Sequence, residues 1–269
     1  MQENRSTLPS ADRIGVLIAS VLLAFALTKL IQSPSFTVTL SLPGFYFALP
    51  LTLGTFMTIL AGALAAAGMD WLTRSHPVLG GTNIEHLMLP TITTFVIGAS
   101  LSLLPNNLVW WTGFAFSAVL LLIVFLAEYI TINPSAPSYA LARAGLTALA
   151  YALFLILAAS LRFSGARMVV LIPAAFLVAA LISLRILHLD GTDRWDFPWA
   201  IGIGIICAQI GAGLHYWPLT PVQFGLALTG PLYGLTMLSV SLAENIPLRR
   251  AVVGPAIIVG VAWAFVILL

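Results

Sequence analysis

Nine stretches of this 269-residue chain are each long and apolar enough to cross a lipid bilayer, and they leave little sequence over for anything else. They run over approximately 14–31, 50–69, 87–104, 108–131, 138–162, 168–187, 198–217, 221–243 and 250–269. A hydrocarbon core of ~30 Å takes about 20 such residues as helix. Backbone in lipid has to satisfy its own hydrogen bonds, and runs of this length and spacing favour helices over a barrel. The predicted fold class is therefore all-α, a polytopic transmembrane helix bundle of about nine spans forming one integral membrane domain over residues 1–269. Residues 1–13 form an N-terminal tail, and 32–49 form the longest outer loop. Composition agrees, with 60% apolar and only 7% charged residues, against about 25% charged in soluble domains.

The breaks between spans carry turn formers: Pro43-Gly44, Pro77, Gly80-Gly81, Pro105-Asn106-Asn107, Asn133-Pro134, Gly191 and Pro218. No small-residue cleavage site follows the first apolar run, so it reads as a retained span rather than a removed signal. With the N-terminus inside, Arg5, Arg13, Arg74, Arg143, Arg185, Arg194, Arg249 and Arg250 fall on the cytoplasmic side. Only Lys29, Arg162 and Arg167 fall outside. This bias predicts a cytoplasmic membrane protein with its N-terminus inside and its C-terminus outside. All nine acidic residues lie on the same inner side, so ionisable chemistry gathers at one face. Trp110, Trp111, Tyr216 and Trp217 mark the outer interface, and Trp71, Tyr129, Tyr139, Trp195 and Trp199 the inner one.

In the outer loop, Phe36, Val38, Leu40 and Leu42 alternate with Thr37, Thr39 and Ser41 before Pro43-Gly44 and Phe45-Tyr46-Phe47. Period-two alternation before a turn predicts a short β-hairpin, lying as a lid over the outer helix ends. A re-entrant loop is the alternative.

Four segments could carry chemistry. Asp70 and Arg74 are four apart and pair on the last turn of span two, with His76 after them and Glu85-His86 opening span three. This is either a polar pocket with His76 or His86 as acid/base or ligand, or an interfacial cap with a surface ion pair. Glu128 and Arg143 stand at similar depth, roughly 6–8 Å inside the ends of spans four and five. Intramembrane ionisable groups are functional candidates, and an ion pair stitching the two helices together is the competing reading. Arg185 and His188 share one face of span six, followed by Asp190, Asp193 and Asp196; the calcium-loop ligand pattern is not met, so this reads as a solvated loop. His215-Tyr216-Trp217-Pro218 is outer belt, and Gly230-Pro231 is expected to kink span eight. Small residues on spans two and seven (Gly62, Ala65 and Gly68; Gly204, Ala208 and Gly211) predict close, central packing.

Other classes are excluded or disfavoured. The few cations form no clustered basic face, so nucleic acid is not expected as a partner. Cys207 stands alone, which rules out a disulfide or thiolate framework, and no metal or cofactor is expected. No phosphate-binding glycine loop is present, and the Gly-rich 202–213 stretch is membrane-embedded.

The run Ala67-Gly68-Met69-Asp70-Trp71-Leu72-Thr73-Arg74-Ser75-His76-Pro77 stands ahead of Glu128-Tyr129 and His215-Tyr216-Trp217-Pro218-Leu219-Thr220-Pro221. Together they resemble an uncharacterised polytopic membrane protein family of Chloroflexi-type bacteria. The resemblance covers most of the chain and implies no assigned activity, hence no catalytic residues. From the residues themselves, short loops and the lack of a complete reactive motif predict a non-catalytic accessory, scaffold or lipid-interacting module, with membrane lipids and partner membrane subunits as its contacts. The alternative is a membrane-embedded enzyme or transporter handling an amphiphilic or anionic, lipid-like substrate at the cytoplasmic interface. There arginines would hold an anionic headgroup, and His76 or Glu128 would move protons.

Overall fold

The computed structural model describes residues 9–31, 36–42, 45–74, 76, 84–190 and 195–268. In chain order these form α1 (Ala11–Leu30), β1 (Phe36–Leu42), β2 (Phe45–Leu51), α2 (Leu53–Thr73), α3 (Ile84–Leu103), α4 (Leu108–Thr131), α5 (Tyr139–Phe163), α6 (Met168–Asp190), α7 (Phe197–His215), α8 (Pro221–Ala243), α9 (Leu248–Ala251) and α10 (Val253–Leu268). Among the described residues nine spans are long and apolar enough to cross a membrane, with Leu248–Leu268 forming the last. The chain is a multi-pass membrane protein.

Helix ends are set by short local devices. Thr52 and Thr220 each form a capping box, with Thr55 and Gln223 respectively. Asn107 accepts from the Val109 amide to start α4. Within the helices, threonines hide their hydroxyls by donating to carbonyls three or four residues back, as Thr93 does to Leu89 and Thr94 to Pro90. That satisfies the polar group where no water is at hand.

β1 and β2 pair antiparallel, from Phe36 opposite Leu51 to Leu42 opposite Phe45. The expected hairpin is present, and its turn at 43–44 lies outside the described residues. Phe36 and Val38 are 67% and 55% exposed, so these two side chains are left largely uncovered by the described residues.

The chain divides into two compact units, Met1–Tyr139 and Ala140–Leu269. In the first, α2 is central, packing on α1 and α3 and touching α4. Its small residues permit this: Ala61 and Ala65 are fully buried, and Gly62 lies against the Phe95 ring. In the second, α7 packs between α6 and α8. A Cβ at Gly204 would stand 2.9 Å from the Phe176 carbonyl oxygen.

Proline inside α8 illustrates the accounting that lipid imposes. Pro231 lacks an amide hydrogen, so the carbonyl four residues back, that of Ala227, loses its helical donor. Trp263 Nε1, from α10, donates to that oxygen at 3.2 Å. Gln223 Nε2 likewise donates to the Val266 carbonyl near the end of α10, at 3.1 Å. At the α7–α8 connection, Arg162 reaches over from α5 and donates to the carbonyls of His215, Trp217 and Leu219. A cation at a helix C-terminus both fills orphan acceptors and opposes the helix dipole.

Candidate functional site

One end of the first unit gathers the start of α1, the end of α2, the start of α3 and the end of α4. Arg13 lies over the Trp71 ring there, 5.1 Å from its centroid. Asp70 and Arg74 form the expected i,i+4 ion pair at 2.7 Å, with the Arg74 side chain 74% exposed. A pair so open to solvent contributes only about 0.3–0.5 kcal/mol, so it marks the surface rather than the site.

The site lies deeper. Glu128 is fully buried on α4, and His86, in the first turn of α3, is 5% exposed. His86 Nδ1 stands 2.8 Å from Glu128 Oε2. Thr131 Oγ1 is 3.5 Å from the same oxygen and donates to the Glu128 carbonyl at 3.0 Å. On the other side of the imidazole, Nε2 is 3.8 Å from Glu85 Oε1, just beyond hydrogen-bond reach. The imidazole thus bridges a sealed carboxylate and one whose side chain is 19% exposed. Pro90 sits four residues after His86 and brings no amide hydrogen to the helix ladder there.

His76, described between α2 and α3, is buried with its ring edge-on to Tyr129, centroids 4.7 Å apart. Burial, and the positive charge that His86 can carry nearby, hold its pKa below the ordinary histidine value. The structure therefore brings His76, Glu85, His86 and Glu128 into one cluster, with Asp70 and Arg74 on its rim. Arg143 lies half-buried on α5, in the second unit.

The other sequence candidates belong to the second unit. Arg185 is 1% exposed on α6. His188 stacks on Trp195 at 4.7 Å, with a 16° interplanar angle. Asp190 ends α6, whereas Gly191, Asp193 and Arg194 lie outside the described residues. Among the described residues no group of three His, Cys, Asp or Glu side chains is placed to hold a metal.

The sequence offers both His86 and Glu128 as inner-face candidates and, with 42 positions between them, does not show that they meet. Sequence spacing also sets Arg143 near Glu128, across the short connection around Asn133-Pro134. The available signal was that His86 and Glu128 are both ionisable and sit at the same end of consecutive, antiparallel spans.

Chemically, one proton shared by Glu128 and His86 leaves the pair neutral overall, in either arrangement of that proton. The cluster can hold a proton in a dry setting and expose it, through the imidazole, to a carboxylate at the membrane surface.

A family model described as a protein of unknown function matches residues 31–269. No curated protein and no solved structure matches the chain.

Proposed function

The chain belongs to the DUF5656 family of proteins of unknown function, and from that premise we propose that it is a proton-handling protein of the bacterial cytoplasmic membrane. In this reading it acts as an enzyme or transporter on an amphiphilic or anionic substrate at the cytoplasmic interface. The observation that carries the reading is the bridging imidazole: His86 touches the sealed Glu128 with one nitrogen and faces the partly exposed Glu85 with the other. Glu85 gives the ring a second carboxylate neighbour nearer the surface, which a proton leaving Glu128 through the imidazole would need. The arginine bias supports placing this end in the cytoplasm, with the N-terminus inside and the C-terminus outside. Arg74, on the rim, is positioned to meet an anionic headgroup.

Infrared difference spectroscopy of the purified protein in lipid nanodiscs tests this reading. A pH step across the histidine range should change a carboxyl C=O band in the wild type. The band should vanish in Glu128→Gln, and its response should slow in Glu85→Gln. A wild type in which neither the carboxyl band nor the imidazole ring bands respond to pH would reduce the cluster to a static brace.

One observation favours the non-catalytic reading, an accessory or lipid-interacting module. The last span is the least covered by protein of the nine, and Ile257, Val261, Phe265 and Ile267 on it are all more than half exposed. Such a face suits lipid or a partner membrane subunit. Purification in mild detergent with a stoichiometric membrane partner, together with a silent infrared band, would favour this reading over the first.

A further inference from the structure

At the opposite end of the first unit, the ends of α1 and α3 and the starts of α2 and α4 enclose a cavity of about 470 Å³. Ligand sites commonly span roughly 300–1,000 Å³. Phe25, Leu53, Leu101 and Trp110 supply its apolar walls, and Lys29 and Asn106 its principal polar groups.

The chemistry of this lining is directional. Lys29, the single lysine of the chain, has its Nζ 5.5 Å from the centroid of the Trp110 ring. Among the described residues of this unit, the acidic side chains are Asp12, Asp70, Glu85 and Glu128, and all belong to the other end. Helices of about 20 residues separate the two ends by roughly 30 Å, too far for those carboxylates to pair with the ammonium. The ammonium thus has an aromatic face beside it and none of the described carboxylates of its own unit. The hydroxyls around it are turned away as donors: Thr28, Thr58 and Ser102 give their hydrogens to the carbonyls of Phe25, Gly54 and Ala99. The Thr55 amide is taken up by Thr52. The remaining side-chain donors along the cavity include the Lys29 ammonium and the Asn106 amide; Leu53 and Gly54, which also line it, stand in the first turn of α2, where backbone amides have no intrahelical acceptor. Lined by a cation and an amide together with apolar and aromatic walls, the cavity suits an anion with several acceptor oxygens attached to a greasy body.

We propose that this cavity binds the phosphate-bearing head of an anionic amphiphile, with Lys29 pairing with the phosphate and the Phe25, Leu101 and Trp110 walls taking the first part of its tail. Phosphate offers more acceptor oxygens than a carboxylate, matching the set of donors. The site shares no residue with the His86–Glu128 cluster, so either can fail without the other. The phosphate can come from a membrane phospholipid or from a soluble phosphate ester.

The test is native mass spectrometry of the full-length protein in detergent, titrated with phosphatidylglycerol or phosphatidylcholine, with glycerol 3-phosphate as a soluble competitor. The variants are Lys29→Gln, Lys29→Arg and Gly54→Leu. A Cβ at Gly54 meets nothing nearer than Thr52 Oγ1 at 3.4 Å, an ordinary contact, so the backbone there accepts a side chain at the cavity wall. Phosphatidylglycerol should bind in preference to phosphatidylcholine. Lys29→Gln and Gly54→Leu should each weaken it about tenfold or more, and Lys29→Arg should retain it. Displacement by glycerol 3-phosphate identifies the soluble source; retention of the lipid against it identifies the membrane. Equal binding of the two lipids, or wild-type affinity in both Lys29→Gln and Gly54→Leu, overturns the proposal. Should Lys29→Gln fail to fold, Gly54→Leu decides alone, with thermal unfolding showing that it folds.

Discussion

Burying Glu128 completely sets the terms for every side chain around it. Removing one partner of a buried ion pair costs about 3–5 kcal/mol, whereas replacing both with apolar groups is often neutral or better. His86→Leu and Glu128→Leu should therefore each lower stability by that order, and the double variant should recover most of the loss. Unfolding in detergent micelles reads this directly, and additive losses would mean the two side chains are not coupled. His76 gives a second, pH-dependent signal. Its pKa lies below the ordinary value of 6.5, so the unfolded chain binds its proton more readily than the folded one. Stability is then full above about pH 6.5 and falls as the pH drops from there toward the lower folded value, where the loss levels off. His76→Gln should flatten the melting temperature between pH 7.5 and 5.5 relative to wild type. An unchanged slope would assign the acid sensitivity to another group.

At the scale of helices, the difference between expected and observed ends has a physical pattern. On the side rich in charge, α2 runs on to Thr73, α3 starts at Ile84 and α6 reaches Asp190, each three or four residues beyond its apolar run. Hydropathy reports where hydrocarbon stops; hydrogen bonding continues until a cap or proline ends it. His86 accordingly stands in the first turn of α3, at the opening of span three where the sequence sets it. Close packing adds what no pattern of polarity carries. Gly204→Ala gains about 1 kcal/mol in helix propensity, but its Cβ would stand 2.9 Å from the Phe176 oxygen, and overpacking of that kind costs about 1–3 kcal/mol. The net effect should be destabilising. Gly202→Ala, two residues away with nothing within 4 Å of its Cβ, should stabilise by up to about 1 kcal/mol. Comparing the two melting temperatures checks the α6–α7 contact, and equal shifts would refute it.

For the whole molecule, spans and hairpin were legible because length, periodicity and turn residues are local properties. The site was legible only as a set of ionisable residues near one end. Which of them meet depends on how α3 lies against α4, and a linear pattern does not encode that choice. The sidedness of that end is open to direct measurement, helped by Cys207 being fully buried and so silent toward thiol reagents. With the N-terminus inside, Ser164→Cys should react with an impermeant maleimide in intact cells, and Ser135→Cys only after permeabilisation. The reverse result would invert the orientation, and labelling of both would break the span count. Pro231 and Trp263 carry a consequence for biogenesis. A growing chain that ended before Trp263 would hold α8 in hydrocarbon with the Ala227 oxygen lacking its indole donor, at a cost of a few kcal/mol. Losing the last helix would therefore injure the one before it, and α8 has reason to wait beside the insertion machinery until its C-terminal neighbour arrives.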